Sequence, residues 1–221
     1  MKGLKSSDPL LISGDFLYKM ELFHDPVMVR EIREILALKP GHTMVDGTLG
    51  LGGHSLRFLE DISPNGTLVG FDWDESMLAE AEKRLREKID QLGREKAGTR
   101  LELVNADFRE MGARLNGMGL RPNGILLDQG LNSAQIEDPN RGIAFKTEGP
   151  LDMRMARSKG EPASALLNRL SPTEIEKILF DLGDERWAKA IAKKIVERRK
   201  TSPLRTTTDL VEAVMAAVPP G

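Results

Sequence analysis

Four aspartates and one glycine loop carry the chemistry within reach of this sequence. Residues 45–55 read VDGTLGLGGHS, in which Gly47, Gly50, Gly52 and Gly53 follow Asp46 within seven residues. Glycine lets a backbone turn sharply and lets a ligand approach with no Cβ in the way. The loop lacks the GK[ST] ending of a phosphate-binding P-loop. Further apolar runs also close on acids: TLVGFD on Asp72, LELVNAD on Asp107 and NGILLD on Asp128. An acid about twenty residues beyond a glycine loop suits the hydroxyls of a ribose, which is the place of Asp72. To this point a nicotinamide dinucleotide and S-adenosylmethionine fit equally well.

Two features separate them. Asp46, just before the glycines, would face a pyrophosphate unfavourably but suits the ammonium of a methionine moiety. NADF (105–108) offers Asp107 for an adenine amine and Phe108 for the adenine face. Any one such aspartate is more often a helix cap or a turn residue. Together, Asp46, Asp72, Asp107 and Asp128 predict an acidic rim that suits a ligand carrying an ammonium and a sulfonium. Gly50, Gly52 and Gly53 are the glycines expected to cradle it.

The elements that must position these residues follow from periodicity. Apolar residues at helical spacing predict helices over 26–38, 54–62 and 75–93, and apolar runs predict strands at 42–46, 67–72, 101–107 and 123–128. Strands alternating with helices imply a parallel, doubly wound α/β sheet. Residues 129–160 are rich in Gly, Pro, Asn and Asp and read as irregular. From 161 to 218 the pattern is helical, with start signals at SPTE (171–174) and at Thr206–Asp209. Three domains are expected: a leader over 1–23, a Rossmann-like donor-binding part over 24–135, and an irregular and helical unit over 136–221. About four parallel strands make a short sheet, so the sheet is expected to be incomplete.

Composition sets bounds. The 221 residues carry a net charge of −2, with 40% hydrophobic and 30% charged residues, as in ordinary globular chains. Nucleic-acid contact therefore needs a local basic patch rather than a global field. Absence of cysteine rules out thiolate chemistry and suits a reducing cytoplasm. Three scattered histidines make no spaced metal-ligand set. No apolar run is long enough to span a membrane, and the N-terminus lacks signal-peptide features.

Eight segments in one order carry a resemblance: HDPVMVREI, VDGTLGLGGHS, GFDWD, NADF, GILLDQGLNSAQIEDPNRGIAF, GPLDMRMA, GDERWAKAIAKKIVERR and TTTDLVEAV. The chain resembles the MraW/RsmH family from about His24 onward. That family methylates N4 of a cytidine in the decoding region of small-subunit (16S-type) ribosomal RNA. The resemblance implies a class I S-adenosylmethionine methyltransferase sheet with an inserted α-helical domain. It places donor contacts on Gly52, Gly53, His54, Asp72, Phe108, Asp128 and Gln135; His54 and Gln135 come from the resemblance alone. The family pattern Asp-Leu-Gly-Val-Ser-Ser is replaced by Asp128-Gln129-Gly130-Leu131-Asn132-Ser133, RGFSF by Arg141-Gly142-Ile143-Ala144-Phe145, and GEER by Gly183-Asp184-Glu185-Arg186. The family's later His-Pro-Ala-Thr-Arg segment and remaining strands are not in this chain, which matches roughly its first two thirds.

If the family chemistry holds, Asp128, Asn132 and Ser133 are the candidate catalytic acceptors. Small-subunit ribosomal RNA, or the small ribosomal subunit, is the implied partner, and the oligomeric state stays open, a dimer being one option. The target base must leave its stack. Lys193, Lys194, Arg198 and Arg199 supply positive charge on one helix. Arg141 and Arg154, beside the crevice, either touch phosphate or clamp Asp138 and Asp152. Two other outcomes stand beside this one: a donor- or RNA-binding fragment without turnover, and a nicotinamide-dependent oxidoreductase.

Overall fold

The computed structural model describes residues 26–94 and 97–219. The expected leader (1–23) lies outside the described residues. Four strands, β1 (Thr43–Asp46), β2 (Thr67–Asp72), β3 (Arg100–Asn105) and β4 (Gly124–Leu126), form one sheet in the order β3-β2-β1-β4. Each neighbouring pair is parallel. The chain runs outward from β1 to β3 and returns to the other side of β1 for β4. The order therefore reverses between β1 and β4, and a ligand crevice opens beyond the carboxyl ends there.

β1 and β2 are covered on both faces, which their continuous apolar runs require. Met44 and Leu68 point into one core with Phe58, Leu59, Ile62, Ala81 and Leu85 of α2 (Gly53–Ile62) and α3 (Glu75–Leu92). The alternate residues Val45, Val69 and Phe71 point to the opposite face and pack with Ala106 and Leu115. This is the two-residue period of a strand. Leu115 belongs to α4 (Met111–Gly117), which follows a single 3-10 turn over Phe108–Glu110.

Two elements differ from the sequence expectation. Helix α1 covers only Val29–Leu36, because Met28 adopts a left-handed backbone. Pro26 lies ahead of it, against Gly53, where an added Cβ would come within 3.1 Å of its Cγ. Strand β4 is shorter than the apolar run 123–128. Gly47 still bonds the Leu126 carbonyl, but Asp128 N–H turns to the Thr48 hydroxyl at 2.7 Å, outside the ladder.

The irregular stretch contains α5 (Ser133–Glu137) and a 3-10 turn over Pro139–Arg141. Four helices follow: α6 (Ala163–Arg169), α7 (Pro172–Gly183), α8 (Ala188–Arg199) and α9 (Thr207–Met215). Both expected start signals are capping boxes, Ser171 with Glu174 and Thr206 with Asp209. A second core gathers Ile175, Ile191, Ile195, Leu204 and Ala213, with Trp187 and Val196 at its border. Leu151, from the irregular segment, is buried in it.

Candidate functional site

Asp46 closes β1 and is 2% exposed. Its Oδ2 accepts from the Ser55 hydroxyl at 2.7 Å and its Oδ1 from Thr48 N–H at 3.2 Å. Burial, first of all, raises its carboxyl to about 6, with Asp72 and Asp128 adding repulsion against those two hydrogen bonds. Asp46 therefore supports the loop from beneath, tying β1 to the first turn of α2, and does not line the crevice. The sequence expectation places Asp46 against a ligand's ammonium; in this structure its two oxygens are turned to Ser55 and Thr48.

Asp72 closes β2 and reaches across the loop. Its Oδ2 accepts from Gly50 N–H at 2.7 Å, and its Oδ1 from Asp74 N–H at 2.8 Å. Burial raises its carboxyl, while those backbone donors pull the other way. Gly50 (φ 52°) and Gly52 (φ 78°) hold the left-handed conformation that glycine adopts without strain.

The loop borders a cleft of about 480 Å³, within the range of small-molecule sites. Gly50, Gly53, Asp72, Asp107, Phe108, Asp128, Asn132, Ser133 and Gln135 line it. Asp46, Gly52 and His54 are not among the lining residues. Asp107 accepts from Arg109 N–H at 2.8 Å and from its guanidinium at 2.5 Å, which holds the carboxyl below its ordinary range. Arg109 also sits 5.9 Å above the Trp73 ring. Trp73 and Met155 line the cleft as well. Sequence reasoning passed over both, although GFDWD and GPLDMRM had marked their positions. His54 lies behind Asp128, with Nε2 3.6 Å from Asp128 Oδ2. Burial pushes its imidazole down, and the Asp128 carboxylate opposes that.

A buried polar latch ties the far side of the cleft to α3. Asp74 caps α3 through Ser76 and Met77 N–H. Its Oδ2 also meets Arg141 at 2.5 Å and accepts from Gln135 Nε2 at 3.1 Å. Burial works to raise the Asp74 carboxyl, but the bonds from Arg141, Ser76 and Gln135 outweigh it and hold it low. Gln135 also joins Asn132 in a capping box, and Asn132 Nδ2 contacts the Met77 sulfur at 3.4 Å. Asn132 is thus the N-cap of α5. It stands where the resembled family has Ser, and both are good N-cap residues. Its side chain is committed to this turn, which leaves Asp128 as the exposed carboxylate of the loop.

The cationic residues divide. Arg141 is 5% exposed and clamps Asp74 and Asp138. Arg154 pairs with Asp152 at 2.7 Å. Arg198 bridges Asp209 and Glu212 of α9. Arg199 donates to the Leu167 and Leu170 carbonyls at the end of α6. Lys193 and Lys194 lie on the outer face of α8 and share Glu197. Burial and pairing thus make Arg141 a clamp rather than a phosphate contact, and tie Arg198 and Arg199 into the helical unit.

A parallel sheet whose order reverses beside β1, with a glycine loop after β1 and a carboxylate closing β2, defines the doubly wound α/β class, in which ligands lie beyond the carboxyl ends of the strands. The family model described as the MraW methylase family matches residues 21–221, and the chain belongs to that family. The ribosomal RNA small subunit methyltransferase H of Geotalea uraniireducens (strain Rf4) is 42% identical over 202 residues, covering 91% of this chain and 62% of that protein. The protein of the same name from Heliobacterium mobile is 40% identical over 202 residues, covering 90% of this chain and 62% of that one. The chain therefore spans about 62% of the length of these relatives.

Proposed function

We propose that this chain forms the donor site and acceptor loop of an S-adenosylmethionine-dependent methyltransferase acting on N4 of a cytidine in the decoding region of small-subunit ribosomal RNA. The observation that carries the reading is the Gly50 N–H to Asp72 bond at 2.7 Å, which joins the glycine loop and the ribose carboxylate at one cleft. Asp107 and Phe108 line the same cleft, where an adenine edge and face would rest. The names of the relatives supply the RNA. Bound there, S-adenosylmethionine supplies an electrophilic methyl on a sulfonium. The protein's own part is orientation: an amine conjugated with a pyrimidine ring is a weak nucleophile, so the acceptor loop must aim it and receive its proton. The small ribosomal subunit, in the cytoplasm, is the expected setting. No helix among the described residues is long and apolar enough to cross a membrane, and no described cluster of His, Asp or Glu suits a metal ion.

Binding without turnover is the second reading, favoured by the commitment of Asn132 to its capping box. The nicotinamide alternative finds no support in the family to which the chain belongs. Calorimetric titration with S-adenosylmethionine tests the donor site. The wild-type chain is expected to bind at micromolar Kd. Asp72→Ala is expected to weaken binding by roughly 10- to 100-fold, the value of about one hydrogen bond to a charged group. A folded wild-type chain that does not bind sinks the reading. Transfer of labelled methyl to small-subunit RNA then separates turnover from binding alone.

A further inference from the structure

We infer that Arg141 is a positioning residue of the donor cleft: its guanidinium holds the wall that carries Asp72 and the wall that carries Gln135 and Met155 at a fixed separation, so that a nucleoside fits between them. The inference rests on the donor-site reading above and adds to it a residue that touches no ligand.

Arg141 and Asp74 are not among the described residues that line the cleft, and both side chains are buried. Their contacts nevertheless end on the lining from three directions. From the end of β2, Asp74 N–H donates to Asp72 Oδ1 at 2.8 Å, while Asp72 Oδ2 accepts from Gly50 N–H of the glycine loop. Asp74 Oδ2 in turn receives Arg141 Nη1 at 2.5 Å, and Arg141 Nη2 donates to the Ser76 hydroxyl in the first turn of α3 at 2.7 Å. From the segment after β4, Gln135 Nε2 donates to the same Asp74 oxygen at 3.1 Å. From the stretch that follows, the Met155 carbonyl accepts from Arg141 Nη1 at 3.4 Å, and Met153 N–H donates to the Arg141 carbonyl at 2.8 Å. One side chain thus joins three segments distant in sequence, and each presents a lining residue: Asp72, Gln135 and Met155.

A buried ion pair often adds no stability over apolar packing of the same volume. What this one fixes is the distance between two walls of a cleft. The planar guanidinium suits the task, because its nitrogens diverge in one rigid fork and reach Asp74, Ser76 and Met155 together. An ammonium is a single point charge and cannot span all three. Arg141 also offsets the Asp74 charge at its source, and that charge otherwise works against ionisation of the neighbouring Asp72. An ionised Asp72 is the stronger acceptor for hydroxyl groups.

The test separates donor affinity from stability in three variants of the full chain. Arg141→Lys keeps the charge opposite Asp74 and loses the fork. The double variant Arg141→Met with Asp74→Asn removes the buried charges together and keeps a cap on α3. Ile195→Ala lowers stability from within the helical core and touches none of these contacts. S-adenosylmethionine is titrated into each by calorimetry, and urea midpoints are measured alongside. Arg141→Lys and the double variant are expected to raise donor Kd roughly 10-fold, about one hydrogen bond to a charged group. Ile195→Ala is expected to stay within about threefold of wild type. In the ligand-free chain the Met155 methyl and Gln135 side-chain amide resonances are expected to move in Arg141→Lys and to stay in place in Ile195→Ala. A folded Arg141→Lys that binds within threefold of wild type would overturn the inference. So would affinity that follows the urea midpoint across all three variants, or Met155 and Gln135 resonances that Arg141→Lys leaves unmoved. A folded wild-type chain that binds no S-adenosylmethionine would defeat the donor-site reading instead, and the ligand-free resonances alone would then decide whether Arg141 holds the two walls.

Discussion

At Asp46 burial outweighs two hydrogen bonds, and its carboxyl rises from 3.8 to about 6. A raised carboxyl stabilises the fold only while protonated. The contribution is complete below about pH 4 and is lost as pH rises through about 6. Asp46→Asn keeps the neutral shape, accepting from Thr48 and donating to Ser55. The variant is expected to match wild type near pH 4 and to be more stable by up to on the order of 3 kcal/mol at pH 7.5, without ligand. Urea unfolding at the two pH values checks this, and an equal difference at both would refute it. Arg141 behaves oppositely, because its charge is needed. Arg141→Met leaves Asp74 buried and unpaired and is expected to cost about 3–5 kcal/mol. Asp74→Asn in the same chain should recover part of that, since Asn still caps α3. A loss under about 1 kcal/mol in the single variant would show that the pair is not buried in solution.

At the scale of elements, α8 shows how one helix divides its charges. Ala188, Ile191, Ala192 and Ile195 face the core. Arg198 and Arg199 are spent on α9 and on the end of α6, where Asp209 is held down to about 2, first by the Arg205 N–H and also by Thr206 and Arg198. Lys193 and Lys194 remain on the outside, with Glu197 as a shared, weak partner. If α8 holds RNA, it does so through these lysines. Replacing both with Ala is expected to leave urea stability within about 0.5 kcal/mol. The slope of log affinity against log salt should fall by roughly 1.4, or about 0.7 per single-strand phosphate contact. An unchanged slope would remove α8 from the RNA surface.

Across the whole molecule, two cores share one strap. Residues 149–155 bond to the start of α9 through Leu151 N–H to Arg205 and Thr207 N–H to Gly149, and return to the 3-10 turn through Met153 N–H to Arg141. Leu151 is buried in the helical core while Met155 lines the cleft. An added Cβ on Gly142 would collide with the Pro150 carbonyl, so the two stretches run in direct contact. The strap runs between the helical core and the cleft, while the cleft's glycine loop and Asp72 are built on the sheet. Ile195→Ala, deep in the helical core, is expected to cost about 2–5 kcal/mol. Donor Kd should stay within about threefold, because the sites are remote. A parallel loss of donor affinity would mean that the two units fold as one.

The order of strands and helices, the caps at Ser171 and Thr206, the glycine loop and the Asp72 carboxylate were legible in the sequence, because each follows from local rules of period, cap chemistry and glycine conformation. The family resemblance pointed to His54 and Gln135 as donor contacts; the structure adds the bonds of Gln135 to Asp74 and Asn132. Burial decided the rest. Asp46 and Asp72 both close apolar strands, yet one lies under the loop and the other at the cleft. Arg141 reads in the sequence as a phosphate contact or a clamp on nearby acids, and only the fold brings in Asp74, 67 positions earlier in the chain, as its buried partner. Side-chain partnership depends on distances across the fold, which no one-dimensional pattern contains; a local pattern records only what a residue's near neighbours in sequence require.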